Sequence, residues 1–260
     1  MYHLKKEIQS KEFTITFVND LHIGLKSFRE KDFIKHVLNP IKRNKNAYWI
    51  GLGDYIEGRA PHHKFYDASA REVDINDQIR KMSDLLKPVA NKCLGMVIGN
   101  HERGIIKETT IDPVMNFCYD NNIPYAGEVG LLDITNGRGQ KKSIVFAHGS
   151  GGGITKGAPI NKAVIFTNYW DADLLFFGHH HSLSTAAVAK PTRDANGAPT
   201  WKPGYVTICG TMLSAYPQGR SSYEEGMCLP PNEIGYAKVT FDEELNPSIS
   251  INAIEVKRSE

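Results

Sequence analysis

The sequence is short of several things, and each shortage removes a class of protein. No stretch approaches the roughly 20 consecutive apolar residues that a membrane-spanning helix requires, so no membrane partner is expected. The opening residues, MYHLKKEIQSKEF, contain no apolar core of the kind a secretory leader carries. Only four cysteines occur (Cys93, Cys118, Cys209 and Cys228), far apart and with no CxxC pair. That leaves no disulfide framework and reads as reduced core thiols in a cytoplasmic protein. Charge of either sign is not in excess: the formal net charge is +2, and basic residues come in short groups such as 42–45. A phosphate-tracking groove for duplex nucleic acid is therefore not indicated, although nucleic acid as a substrate stays open. Internal repeats and low-complexity tracts are also lacking. What remains is ordinary globular composition, 41% hydrophobic over 260 residues, enough for one large α/β domain spanning 1–260.

Along that chain one event recurs five times. A β-branched or aromatic run ends in a glycine-containing polar turn: 13–18 before Asn19-Asp20, 47–52 before Gly53-Asp54, 93–98 before Gly99-Asn100-His101, 142–147 before His148-Gly149, and 173–177 before Gly178-His179. Between the early strands lie helical periodicities, one over 33–41 with a kink expected at Pro40, and one from Ile75 to Val89 with Asp74 as its N-cap. Strands alternating with helices predict mostly parallel pairing, which gathers the strand ends along one edge, where open α/β sheets bind ligands. After residue 181 the pattern turns purely β. Residues 182–233 are expected to supply a hairpin around Asp194-Ala-Asn-Gly197 and then a long Gly/Pro/Ser-rich loop (211–233) near the site.

The five turns supply carboxylates, an amide and imidazoles but no thiolate. Donors of that kind suit Mn²⁺, Fe or Zn²⁺ better than Cu(I) or an iron–sulfur cluster. Asp20 and His22 are two residues apart, as are His179 and His181. In extended backbone such pairs point to one side, which would turn Leu21 and His180 away. Asp20, His22, Asp54, Asn100, His148, His179 and His181 make seven candidate ligands, too many for one tetrahedral zinc and suited to two ions sharing a carboxylate. Arg103, just after the third turn, is a candidate phosphate contact. The stretch 149–157 lacks the GK[ST] ending of a P-loop, but its glycines could line a pocket beside His148; His62 and His63 read as a surface loop.

The ordered set DxH, GD, GNHE, HG and GHxH, spanning residues 20–181, resembles that of the calcineurin-like metallophosphoesterases. The resemblance implies a four-layer α/β/β/α sandwich with two mixed sheets and a dinuclear centre of divalent ions, Mn²⁺ first and Fe, Zn²⁺ or Ni²⁺ as alternatives. It implies that Asp20, His22, Asp54 and His181 hold one ion, that Asp54 bridges to a second held by Asn100, His148 and His179, and that His101 is the catalytic histidine near the leaving group. Protein phosphatases of the superfamily read GDxxDRG at the second motif, where this chain reads GDYIEGR. Glu57 stands where the second Asp would be, either orienting His101 or capping a helix, and Arg59 is displaced by one residue. The terminal GHxH is typical of the phosphodiesterase-like and Mre11-like branch. The function expected is hydrolysis of phosphate esters, phosphodiesters first, by a metal-bridging hydroxide. The alternatives are a phosphomonoesterase acting on nucleotide or phosphoprotein, or an inactive binding scaffold of the same fold. Oligomeric state is not legible.

Overall fold

The computed structural model describes residues 2–64, 66–68, 70, 71, 73–152, 155, 157–217, 222–226 and 228–255. Two mixed sheets lie face to face. The first has the order β1 (Tyr2–Glu7), β5 (Val129–Thr135), β6 (Lys141–Ala147), β7 (Leu174–Phe177), β9 (Pro199–Cys209), β8 (Leu183–Arg193). The second runs β11 (Pro247–Ala253), β10 (Gly235–Asp242), β2 (Glu12–Val18), β3 (Ala47–Gly51), β4 (Cys93–Met96). The strands that precede the five turns pair in parallel within their sheets, β2 with β3 and β3 with β4, and β6 with β7. Their carboxyl ends consequently share one edge of the molecule, as the alternation of strands and helices predicts.

Period-2 burial builds the layers. In β7, Leu174 and Phe176 enter the core between the sheets, while Leu175 and Phe177 face outward to pack on α6 (Gly157–Thr167). From the other sheet, Phe13, Ile15 and Phe17 of β2 enter the same inter-sheet core, and the rings of Phe17 and Phe176 stack with centroids 3.7 Å apart. The outer face of this second sheet, with Trp49 and Met96, is covered by α1 (Glu30–Phe33), α2 (Asn39–Arg43), α3 (Ile75–Leu86), α4 (Asn100–Thr109) and α5 (Pro113–Asp120). Helix, sheet, sheet, helix is thus the observed order, the four-layer sandwich.

Several local expectations change. No sharp kink forms at Pro40; a π-turn over Ile34–Leu38 joins α1 to α2, and the backbone stays right-handed across it. The π register ends just before Pro40, whose ring removes one helical N–H. Asp74 does cap α3, accepting from the backbone N–H of Asp77 at 3.0 Å. The hairpin at 194–197 forms between β8 and β9, but the region after 181 is not purely β, because α7 (Tyr223–Gly226) lies in the long loop. Among the described residues no helix is long and apolar enough to cross a membrane.

Candidate metal centre

The turns after β2 and β3 are laced together by backbone hydrogen bonds. Asp20 N–H donates to Gly53 O, Leu21 and His22 N–H both donate to Asp54 O, and Ile23 N–H donates to Tyr55 O, at 2.9–3.1 Å. The carboxylate of Glu102 in α4 then accepts from four backbone N–H groups, those of Asp54, Tyr55, Ile56 and Gly99, at 2.7–3.1 Å. The Glu of the GNHE motif therefore welds the second turn to the third. Gly53 and Gly99 are required by this close approach. A Cβ on Gly99 would collide with the side chain and backbone N of Asp54, and one on Gly53, where φ is +89°, with the backbone of Gly99.

Onto this frame the chain projects three overlapping groups of side chains that could each hold a metal ion. Asp20, His22 and His181 form one, and Asp54, His148 and His179 another, while the third, His22, Glu57 and His101, shares His22 with the first. Asn100 joins the second through its Oδ1, 3.0 Å from His148 Nε2. Asp54 Oδ2 lies between the groups, 3.1 Å from His148 Nε2 and 3.8 Å from His22 Nε2. All seven expected residues are thus brought together, and Leu21 is fully buried in the apolar core instead. The Asp20/His22 and His179/His181 pairs do not converge through strand alternation, however. Their backbone is not extended: Asp20, His22, His179 and His181, and Asp54 with them, have φ between +44° and +68°. The chain turns sharply after Gly178, with His180 N–H donating to Gly178 O at 2.8 Å. His179 and His181 consequently serve different groups, while His180 belongs to neither.

Each imidazole presents one nitrogen inward and has the other engaged behind it. His22 has Nδ1 3.0 Å from Glu57 Oε2, His148 has Nδ1 2.8 Å from Leu52 O, and His179 has Nε2 2.9 Å from Gly151 O. His181 turns Nδ1 to Glu224 Oε1 at 3.5 Å. The inward atoms crowd: His22 Nε2 is 3.2 Å from His181 Nε2, and His148 Nε2 is 3.2 Å from His179 Nδ1. Asp20 Oδ2 accepts from Asn19 Nδ2 and His179 N–H, while its buried Oδ1 makes no hydrogen bond. Asp20 Oδ1 lies 3.3 Å from His181 Nε2. Inward imidazole nitrogens crowded against buried carboxylates need a positive charge, a proton or a cation, so the donor set fits divalent ions.

The electrostatics agree. Burial alone would raise Asp20, yet the adjacent His181 brings its carboxyl down to about 2. Burial likewise opposes the charge on Asp54, but His148 and His101 hold it well below the usual range. Burial opposes the imidazolium forms of His148 and His181, which neighbouring carboxylates nevertheless raise to about 9 and about 10. In the absence of metal, protons therefore occupy the positive-charge sites.

His101 stands beside the first two groups, its Nε2 3.9 Å from Asp54 Oδ2 and its Nδ1 2.5 Å from the Glu57 carbonyl oxygen. Burial pushes it down to about 4. Glu57 caps no helix; its carboxylate lies between His22 and His101, at 3.0 and 3.3 Å. Arg103 is not brought to the cluster, since it pairs with Glu128 at 3.0 Å. Arg59 is there instead, with Nη2 3.0 Å from His101 Nε2, one residue beyond the family position, which its sequence offset disguised. His62 pairs at the surface with Glu108. Of the 149–157 stretch, Gly151 abuts His179, and residues 153, 154 and 156 lie outside the described set. Sequence reasoning missed Asn19 and Glu224, which carry no motif, and gave Glu102 no role although GNHE contains it.

By sequence, the chain matches no curated protein. Among solved structures it is similar to Vps29 of Chaetomium thermophilum (13% identity, TM-score 0.45, covering 94% of this chain and 97% of that one). It is also similar to Vps29 of Entamoeba histolytica complexed with zinc (12%, TM-score 0.44, 93% and 98%). A third is a Streptococcus pneumoniae protein described as a predicted phosphoesterase (13%, TM-score 0.36, 94% and 98%). The family description that fits is calcineurin-like phosphoesterase, matched over residues 13–183, which takes in every motif from Asp20 to His181, and the chain belongs to that family.

Proposed function

We propose that this chain is a dinuclear metal-dependent phosphoesterase acting first on phosphodiesters. The observation that carries the reading is the set of four imidazoles, each backed on one nitrogen and crowding the other inward around Asp20 and Asp54. Asp20, His22, Asp54 and His181 would hold one ion, and Asp54, Asn100, His148 and His179 the other. What such ions supply is Lewis acidity toward phosphoryl oxygens and a lowered pKa for the attacking water.

The chain's own groups account for the rest. His101 donates Nδ1–H to the Glu57 carbonyl and accepts from Arg59 at Nε2, so in the free site the ring is held neutral and correctly aimed. A phosphate ester brings negative charge to that end. It attracts the Arg59 guanidinium and favours a proton on Nε2, from which the departing alkoxide is protonated. The diester preference rests on the GHxH ending and on the GDYIEGR departure from the protein-phosphatase motif.

The test is metal-stripped protein reloaded with Mn²⁺, Zn²⁺, Ni²⁺ or Mg²⁺ and assayed on bis-p-nitrophenyl phosphate and p-nitrophenyl phosphate. Diester hydrolysis should lead. His101→Ala should keep two ions and lose roughly 10²–10⁴-fold in turnover on esters with poor leaving groups, less on p-nitrophenyl esters. Two bound ions with no hydrolysis of any ester would instead make the chain a binding scaffold of this fold.

A further inference from the structure

Described residues of the loop 211–233 touch the candidate metal centre at two points, Thr211 and Glu224. Thr211 Oγ1 donates to Asp20 O at 2.8 Å, and Leu213 bridges to Phe28. Farther along, Tyr216 OH donates to Leu229 O at 2.5 Å, and Leu229 N–H donates to Glu224 O at 2.9 Å. These ties join Tyr216 to Leu229 and Leu229 to Glu224, and α7 lies against the site. Of the two consecutive glutamates in α7, Glu225 is exposed whereas Glu224 is 6% exposed. A carboxylate is costly to bury unless something there uses its charge. The group it meets is His181 Nδ1, at 3.5 Å, on the side of the ring opposite the cluster.

The other three imidazoles are backed by groups close to the sheet edge: Glu57 after β3, Leu52 O at the end of β3, and Gly151 O after β6. His181 alone among the four is backed from α7. A metal-ligating histidine needs its second nitrogen protonated and engaged, so that the tautomer and the ring plane are fixed. We infer that Glu224 is a positioning residue for the metal centre. It keeps the His181 proton on Nδ1 and the Nε2 lone pair turned toward Asp20 and His22, and so ties α7 to metal occupancy. This rests on the metal reading proposed above.

The test titrates metal-stripped protein with Co²⁺ and follows the visible absorption bands, whose position and intensity report ligand geometry independently of turnover. Wild type should take up two ions. Glu224→Ala should weaken one of the two binding steps by about 10–100-fold, with altered bands, and leave the other step unchanged. Glu224→Gln retains the shape and an acceptor oxygen, so it should restore binding to within a few-fold, and Glu225→Ala should match wild type. Thermal unfolding of each metal-free variant checks the fold, and if the alanine variant is unfolded the glutamine variant decides. Wild-type affinities and bands in Glu224→Ala, or a glutamine variant as weak as alanine, would overturn the positioning role. Failure of wild type to bind two ions would overturn the metal reading itself, a different result on the same instrument.

Discussion

Five of the seven residues at the centre sit in the left-handed region of backbone space, and none of the five is glycine. For an L-residue that conformation costs roughly 1–2 kcal/mol, and it is characteristic of sites where side-chain placement outweighs backbone comfort. Positive φ at both members removes the two-residue alternation of a strand, so His179 and His181 reach different groups while Asp20 and His22 reach the same one. The strain can be isolated at His181, where φ is +51°. His181→Ala and His181→Gly both lose the imidazole and its partners, and they differ chiefly in tolerance of that φ. In metal-free protein the glycine variant should be the more stable by about 1 kcal/mol in urea unfolding. Equal stabilities, or a more stable alanine variant, would mean that the strain is not there.

At the scale of the elements, the decisive contact is between turns rather than between strands. The turn after β3 and the turn after β4 approach until Gly99 lies against Asp54, with Glu102 reaching back from the first turn of α4 to bind both backbones. Gly99 has φ of −99°, which any residue adopts, so its requirement is space alone. Gly99→Ala should therefore destabilise by about 1–3 kcal/mol, as overpacking does, and should displace the carboxylate shared by the two groups. The checks are denaturant unfolding and metal content together. Loss of stability with both ions retained would show that the turn yields elsewhere and spares Asp54.

For the molecule as a whole, pH and metal compete for the same centre. His148 and His181 are raised in the metal-free fold to about 9 and about 10 by the carboxylates beside them, above an ordinary value of roughly 6.5. A raised histidine gives stability that is complete below its unfolded value and lost as pH rises through the folded one. The metal-free protein should accordingly melt at progressively lower temperature from about pH 6.5 to about pH 10. Metal must expel those protons, so Mn²⁺ affinity should rise between pH 6.5 and 8.5, with proton release visible in calorimetry run in buffers of different ionisation enthalpy. A metal-free melting temperature that climbs across this window would contradict the sign.

The strands β2, β3, β4, β6 and β7, the Asp74 cap, the 194–197 hairpin and the identity of the seven clustered residues are legible in the sequence alone. All of these are written in local periodicity or in short motifs that one stretch of chain carries alone. The sequence did not reveal β1, whose exposed, lysine-bearing edge strand pairs only with β5, 128 residues along from Tyr2 to Gly130. Nor did it distinguish Arg59 from Arg103, or show Glu224 behind His181. Tertiary structure decided these, together with the division of His179 and His181 between two groups. The physical reason is that a side chain's partner is chosen by which strand ends the sheet order brings to one edge and by the sign of φ where the chain leaves them, and neither is encoded in the spacing of residues along a single segment.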